Sequence, residues 1–162
     1  MSEVPAPSLI LVRHADAGDR EAFVGEDLTR PLSAEGRRQA ALIAERLAAM
    51  PFAHLLSSPA IRCTETLEPL AAMTGLELVV CDALVEGADP NAALAELLEL
   101  SPRRGAVVVA CSHGDVLGSI IEGLVTQEVP HKGRPRLPKC ASVEVSLGED
   151  GTPVFLRFRA AP

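Results

Sequence analysis

Leu9-Ile10-Leu11-Val12-Arg13-His14-Ala15-Asp16-Ala17 is the stretch on which the reading of this chain turns. Four consecutive apolar residues run directly into an arginine and a histidine. A strand with one solvated face alternates apolar and polar side chains. A short run that is apolar throughout fits a strand covered on both faces, as in a parallel sheet packed between helices. Arg13 and His14 then fall at the C-terminal end of that strand, where open α/β sheets bind their ligands.

The same pattern repeats outward from this stretch. Apolar runs predict strands over 54–57, 76–80 and 106–111. Helical spacing of Ala40, Ile43, Leu47 and Met50 predicts a helix over 34–49, with Ser33 placed to cap it. Ser58-Pro59 reads as a helix start, with proline at the first helical position, and Gly75 as its stop after about Met73. Asp89 or Pro90 opens a helix through Leu100, and another follows Ser112-His113-Gly114-Asp115 to about Leu124. A Pro/Lys/Arg loop over 129–139 separates these from two further strands, 141–147 and 154–158. Strands alternating with helices imply a three-layer α/β/α sandwich with a mostly parallel central sheet, the last two strands forming an antiparallel edge. Residues 1–8 read as a loose tail and 9–162 as one domain, with no internal repeat.

Composition narrows the function. Aromatic residues make up 2% of the 162, with no Trp or Tyr, so platforms for stacking nucleic-acid bases are not expected. A net charge of -7 is a poor match for DNA or an anionic membrane surface. Cys63, Cys81, Cys111 and Cys140 form no CxxC spacing and sit among apolar neighbours, so they read as reduced core residues. No secretory apolar segment follows Met1 and no apolar run is long enough to span a bilayer; a cytoplasmic protein is expected.

Three strand ends carry the chemistry: Arg13-His14, the segment from Ser57 to Arg62, and Ser112-His113-Gly114. Arg13 and Arg62 offer planar forks of donors that match phosphate oxygens. Arg62, about one turn into its helix, is placed to reach back over the helix start, and Glu65 to pair with it three residues on. Free N–H groups at the helix starts near Ser58 and Gly114 add positive potential, and Asp115 is placed to stabilise the second of these. Two arginines and two histidines at one strand-end mouth describe an anion site with a nucleophile. There is no paired-carboxylate cluster for magnesium and no Walker-type loop, so neither metal nor cofactor is expected.

Leu11-Val12-Arg13-His14-Ala15-Asp16-Ala17, Ser57-Ser58-Pro59 with Arg62 and Glu65-Thr66, and Ser112-His113-Gly114-Asp115 together resemble the histidine phosphatase (phosphoglycerate-mutase-like) superfamily. The RHAxA form and the Leu28-Thr29…Pro31-Leu32-Ser33-Ala34-Glu35-Gly36 stretch resemble its SixA-type phosphohistidine phosphatase branch. The resemblance implies that His14 attacks phosphorus and becomes a transient phosphohistidine. It also implies that Arg13, Arg62, His113 and the Gly114 segment bind the phosphoryl oxygens, with His113 acting protonated. The glycine usual after the nucleophile is here Ala15, and the hydroxyl residue two further on is Ala17. Glu86 stands where many members carry a general acid, with Asp16 and Asp82 as rivals. An alkoxide leaving group needs such an acid, whereas the labile P–N bond of phosphohistidine does not. Phosphohistidine on a protein is therefore the first substrate expected. A small phosphomonoester or nucleotide is the enzyme rival, and a non-catalytic phosphate-binding module the rival of another class. The basic segment 131–139 either rims the pocket or forms a solvated loop.

Overall fold

The computed structural model describes residues 3–101 and 105–162. Its central strand, β1 (Pro7–Arg13), divides its side chains between two cores. Leu9 and Leu11 pack with Ala93, Leu97, Leu117 and Ile121 on one side. Ile10 and Val12 pack with Ile43, Ala44, Leu67 and Leu70 on the other. The helices behind these contacts are α3 (Pro90–Leu100) and α4 (Gly114–Thr126) on the first side, α1 (Ala34–Leu47) and α2 (Ile61–Thr74) on the second. The unbroken apolar run thus has the two-sided cover that it implied.

The other strands are β2 (Phe52–Ser57), β3 (Leu78–Val80), β4 (Val107–Ser112), β5 (His131–Lys132), β6 (Ser142–Leu147) and β7 (Pro153–Arg159). They form one sheet in the order β3-β2-β4-β1-β6-β7-β5. β1, β4, β2 and β3 are parallel neighbours, and β6 lies antiparallel to both β1 and β7. The sheet is therefore parallel from β3 to β1 and antiparallel from β1 through β6 to β7. Local chemistry sets the helix ends. Ser33 Oγ accepts the Gly36 N–H at 3.0 Å, Asp89 accepts the Asn91 N–H at 2.9 Å ahead of Pro90, and Gly75, at φ 71°, closes α2 in the left-handed conformation.

Four expectations need correction. Helix α2 begins at Ile61, not at Ser58-Pro59, because Ala60 is still extended at ψ 134°. The Ser58 N–H donates to Cys111 O at 3.0 Å, so sheet pairing runs on past β2. Arg62 is consequently the second residue of its helix rather than one turn in. Strand β1 starts at Pro7, which pairs with Ser146, so the tail is shorter than 1–8; residues 1 and 2 lie outside the described residues. Finally, the basic segment contributes β5, parallel to β7, with the His131 ring edge-on to Phe158. All four cysteines are buried and free, as expected.

Candidate active site

Sheet register brings the three segments together. Arg13 lies opposite Ser112 in the β1–β4 ladder, the His14 N–H donates to Ser112 O at 3.1 Å, and Ser58 is tied to Cys111. Three parallel strands therefore end at one level. Two glycines keep the mouth closely packed. A Cβ on Gly114 would sit 2.7 Å from Arg13 Cζ, so the guanidinium lies across the first turn of α4 only because that position is glycine. A Cβ on Gly36 would fall 1.9 Å from the Asp16 carbonyl oxygen, which also accepts the Ser33 N–H.

His14 is 6% exposed, and its Nδ1 lies 2.8 Å from the Ala15 carbonyl oxygen. A carbonyl only accepts, so Nδ1 carries the proton and Nε2 keeps a lone pair. Ala15 is fixed in turn: its N–H donates to Thr66 Oγ1, which donates to Arg62 O. Burial chiefly, together with the charges of Arg62 and Arg13, pulls His14 from 6.5 to about 3, although the bond to Ala15 works the other way. The ring is neutral above that value, as a nucleophile requires.

The same shift makes stability depend on pH. Between about 3 and 6.5 the unfolded chain binds a proton on this imidazole that the folded chain refuses. Stability contributed by the neutral ring is thus present above 6.5 and lost as pH falls toward 3. At pH 5 the loss is about 2 kcal/mol, or roughly 4–8 °C in Tm. Melting wild type and His14→Asn at pH 7 and pH 5 should show a smaller acid drop in the variant by that amount. Equal drops would show that His14 does not carry it.

His113 is 1% exposed and lies edge-on to His14, ring centroids 5.5 Å apart. Its Nε2 is 2.8 Å from Ser58 Oγ, and its Nδ1 3.3 Å from Arg62 Nη2. Arginine can only donate, so Nδ1 accepts and Nε2 holds the proton. The expected protonated His113 and this Arg62 bond exclude each other; protonation requires the guanidinium to let go. Arg62 itself is 1% exposed. Its Nη1 donates to Asp27 O at 2.8 Å, and its Nη2 reaches Asp27 Oδ2 at 3.0 Å and Glu86 Oε2 at 3.5 Å. Arg13 Nη1 donates to Leu137 O at 3.3 Å. The Nε groups of Arg13 and Arg62 are buried and have no hydrogen-bond partner among the described residues. A buried orphan donor costs about 1–3 kcal/mol. Two of them, on the two arginines of one site, fit a site built to receive an anion's oxygens.

Asp27 and Arg20 organise this cluster, and the sequence reading passed over both. Asp27 also pairs with Arg30 Nε at 3.0 Å and Arg20 Nη2 at 3.4 Å. Its partial burial would raise its pKa, but the Arg30 hydrogen bond and the charges of Arg62, Arg20 and Arg30 outweigh this and hold it below the usual value. Both residues lie in the long polar connection after β1, whose sequence carries no periodic signal.

A cavity of about 410 Å³ opens here, lined by Arg13, His14, His113, Arg20, Glu86 and Lys139 among others. Glu86 therefore reaches the site, with Arg20 on Oε1 at 2.6 Å and Arg62 near Oε2. Asp16 is otherwise engaged: the Ser33 hydroxyl first, then the Gly18 N–H and Lys139, hold its carboxyl below the usual range against the opposing effect of burial. Asp82 opens a short 3₁₀ turn and does not line the cavity. Glu65 accepts the Leu32 N–H instead of pairing with Arg62. Asp115 accepts the Gly87 N–H at 2.8 Å, tying the start of α4 to the Glu86 segment. Lys139 brings the end of the basic segment to the rim.

A buried imidazole with a free Nε2, beside arginine forks at the ends of parallel strands, is an arrangement suited to holding a phosphoryl group next to a nucleophilic nitrogen. The sequence profile of the histidine phosphatase superfamily (branch 1) matches residues 9–88. An 8-oxo-(d)GTP phosphatase of Mycolicibacterium smegmatis is 35% identical over 123 residues, which are 74% of this chain; the chain spans 38% of that relative's length. An uncharacterised protein of Picosynechococcus is 31% identical over 129 residues, 76% of each. Among solved structures, the protein histidine phosphatase SixA complexed with tungstate is 25% identical, with a TM-score of 0.72 over 94% of both chains. A mycobacterial glucosyl-3-phosphoglycerate phosphatase shares the fold, at 20% identity and a TM-score of 0.70 over 96% of this chain and 98% of the other. The chain belongs to the histidine phosphatase superfamily. No helix among the described residues is long and apolar enough to cross a membrane.

Proposed function

We propose that this chain removes phosphoryl groups in two steps through a phosphohistidine at His14, with no metal taking part. The observation that carries this is the His14 ring, locked by Ala15 O with Nε2 free, in the cluster of Arg13, Arg62 and His113. The Nε2 lone pair attacks phosphorus, and the bond to the leaving group breaks with its electron pair going to that group. Arg13, Arg62, His113 and the first N–H groups of α4 stabilise charge on the equatorial oxygens. A water oxygen then attacks phosphorus, the P–Nε2 pair returns to the ring, and phosphate departs with the proton from water.

Leaving-group chemistry narrows the donor. Glu86 is held between Arg20 and Arg62, one carboxylate oxygen facing each guanidinium, an arrangement that gives it the task of positioning the two. A site whose carboxylate is engaged in this way favours donors whose leaving group needs no proton from the enzyme. Protein phosphohistidine is one such donor, and the likeness to SixA supports it. A nucleoside triphosphate is the second, because a phosphoanhydride also needs no acid; the 35% identity to the 8-oxo-(d)GTP phosphatase favours it.

The test is phosphate release in EDTA from a phosphohistidine peptide, GTP and an alkyl phosphomonoester, by wild type and Glu86→Gln. Glu86→Gln should change turnover of the first two by less than about fivefold, with the ester slow for both proteins. A loss of about 10²-fold or more confined to the ester would make Glu86 a general acid instead.

A further inference from the structure

Beside the phosphoryl cavity lies a second, of about 600 Å³, between α4 and the segment 135–138. That is the size of a small-molecule site. Arg13 and Gly114 line both cavities, so the two adjoin at the Arg13 guanidinium. From Gly114 the floor runs along α4 through Gly118 to Glu122, two helical turns or about 12 Å. Ile121, Val125 and Leu137 supply apolar walls.

The charges along the groove are ordered. Arg20, Arg30, Arg62 and Lys139 each pair with a carboxylate. Arg13 and Arg136, which line the groove, have no acidic partner among the described residues. The carboxylate of Glu122, at the far end, has no hydrogen bond or ion pair among them either. An occupant that matches this order carries a second phosphate next to the transferred one, then an apolar body, then ring N–H donors.

We infer that the groove holds the leaving group of a nucleoside polyphosphate. Arg13 and Arg136 take the phosphate adjacent to the one attacked, the apolar walls take sugar and base, and Glu122 accepts from the base edge. The inference rests on the two-step phosphatase reading and gives its nucleotide form precedence. Gly118 supplies the means of testing it: it lines the groove, and a Cβ there meets nothing within 4 Å, so a side chain can be added without a clash at its root. Glycine is also a poor helix former, so filling the position should not cost stability.

The experiment compares wild type, Gly118→Leu and Arg136→Gln on GTP, on a phosphohistidine peptide and on phosphoramidate, whose leaving group is too small to use the groove. Gly118→Leu should lower the ratio of kcat/KM for GTP to that for phosphoramidate at least tenfold, mostly through KM. Arg136→Gln, an exposed change that does not threaten folding, should lower it three- to tenfold. Unchanged ratios in both variants overturn the groove assignment and leave the phosphatase reading standing. So does a wild type that hydrolyses phosphoramidate but not GTP. A loss confined to the peptide assigns the groove to a polypeptide and overturns the nucleoside. A wild type that hydrolyses none of the three and forms no phosphohistidine fails at the two-step reading, and the inference falls with it.

Discussion

Replacing His14 with alanine is expected to reduce phosphate release from every donor by at least about 10⁴-fold, the scale on which loss of an enzyme's nucleophile is felt. The reason is that the first step has no substitute. No second imidazole can take over, because both nitrogens of His113 are engaged, by Ser58 and by Arg62. Water attacking directly would keep the arginines' help with charge but lose the positioned lone pair. The measurement is a rapid-quench assay with a radiolabelled donor. Wild type should carry acid-labile, alkali-stable label during turnover, and His14→Ala none. More than about 1% residual turnover in the variant, or label that persists in it, would remove His14 from the mechanism.

Replacing Arg62 should have the next largest effect. Its guanidinium meets Asp27 O, the Asp27 carboxylate, Glu86 and His113 Nδ1 at once. A lysine keeps the charge but offers a single point of attachment, so Arg62→Lys is expected to lose about 10²-fold in kcat, and Arg62→Ala about 10³-fold. The alanine variant should also lose about 1–3 kcal/mol of stability. That lies below the usual cost of breaking a buried pair because Asp27, the partner left behind, is half-buried and keeps Arg30 and Arg20. Kinetics and denaturant melts on both variants separate the effects: lysine should damage kcat far more than stability. If Arg62→Lys retained more than a tenth of wild-type kcat, the forked geometry would not matter, and Arg62 would be only a local charge.

How far the site could be read in advance follows from the kind of signal each residue leaves. Arg13, His14, Arg62 and His113 sit at or just past the ends of strands whose apolar runs mark them; the structure brings Arg13, His14 and His113 to one cavity and places Arg62, buried, against His113. Ser58 was read for its backbone, as a helix start, and turned out to matter through its hydroxyl. Its position next to a proline invited the helix reading, while the bonds that hold it come from β4 and His113. Glu65 shows the same limit. Spacing of i,i+3 permits a pair with Arg62, but the Leu32 N–H, an unsatisfied backbone donor close by, claims the carboxylate instead.

By itself, the sequence determined the alternation of strands and helices, the two-sided burial of β1, the caps at Ser33, Asp89 and Gly75, and the strand ends from which the chemistry projects. These are local properties, set by periodicity, propensity and the backbone freedom of single residues. Only the tertiary structure decided which groups complete the site. Thr66 fastens Ala15 across 51 residues, Ser58 reaches His113 across 55, Asp27 O receives Arg62 across 35, and Arg20 meets Glu86 across 66. Periodicity reports which face of an element is buried. The partner of a buried polar group is fixed by sheet register and loop packing, where donors and acceptors are matched through space, and no spacing along the chain encodes that match.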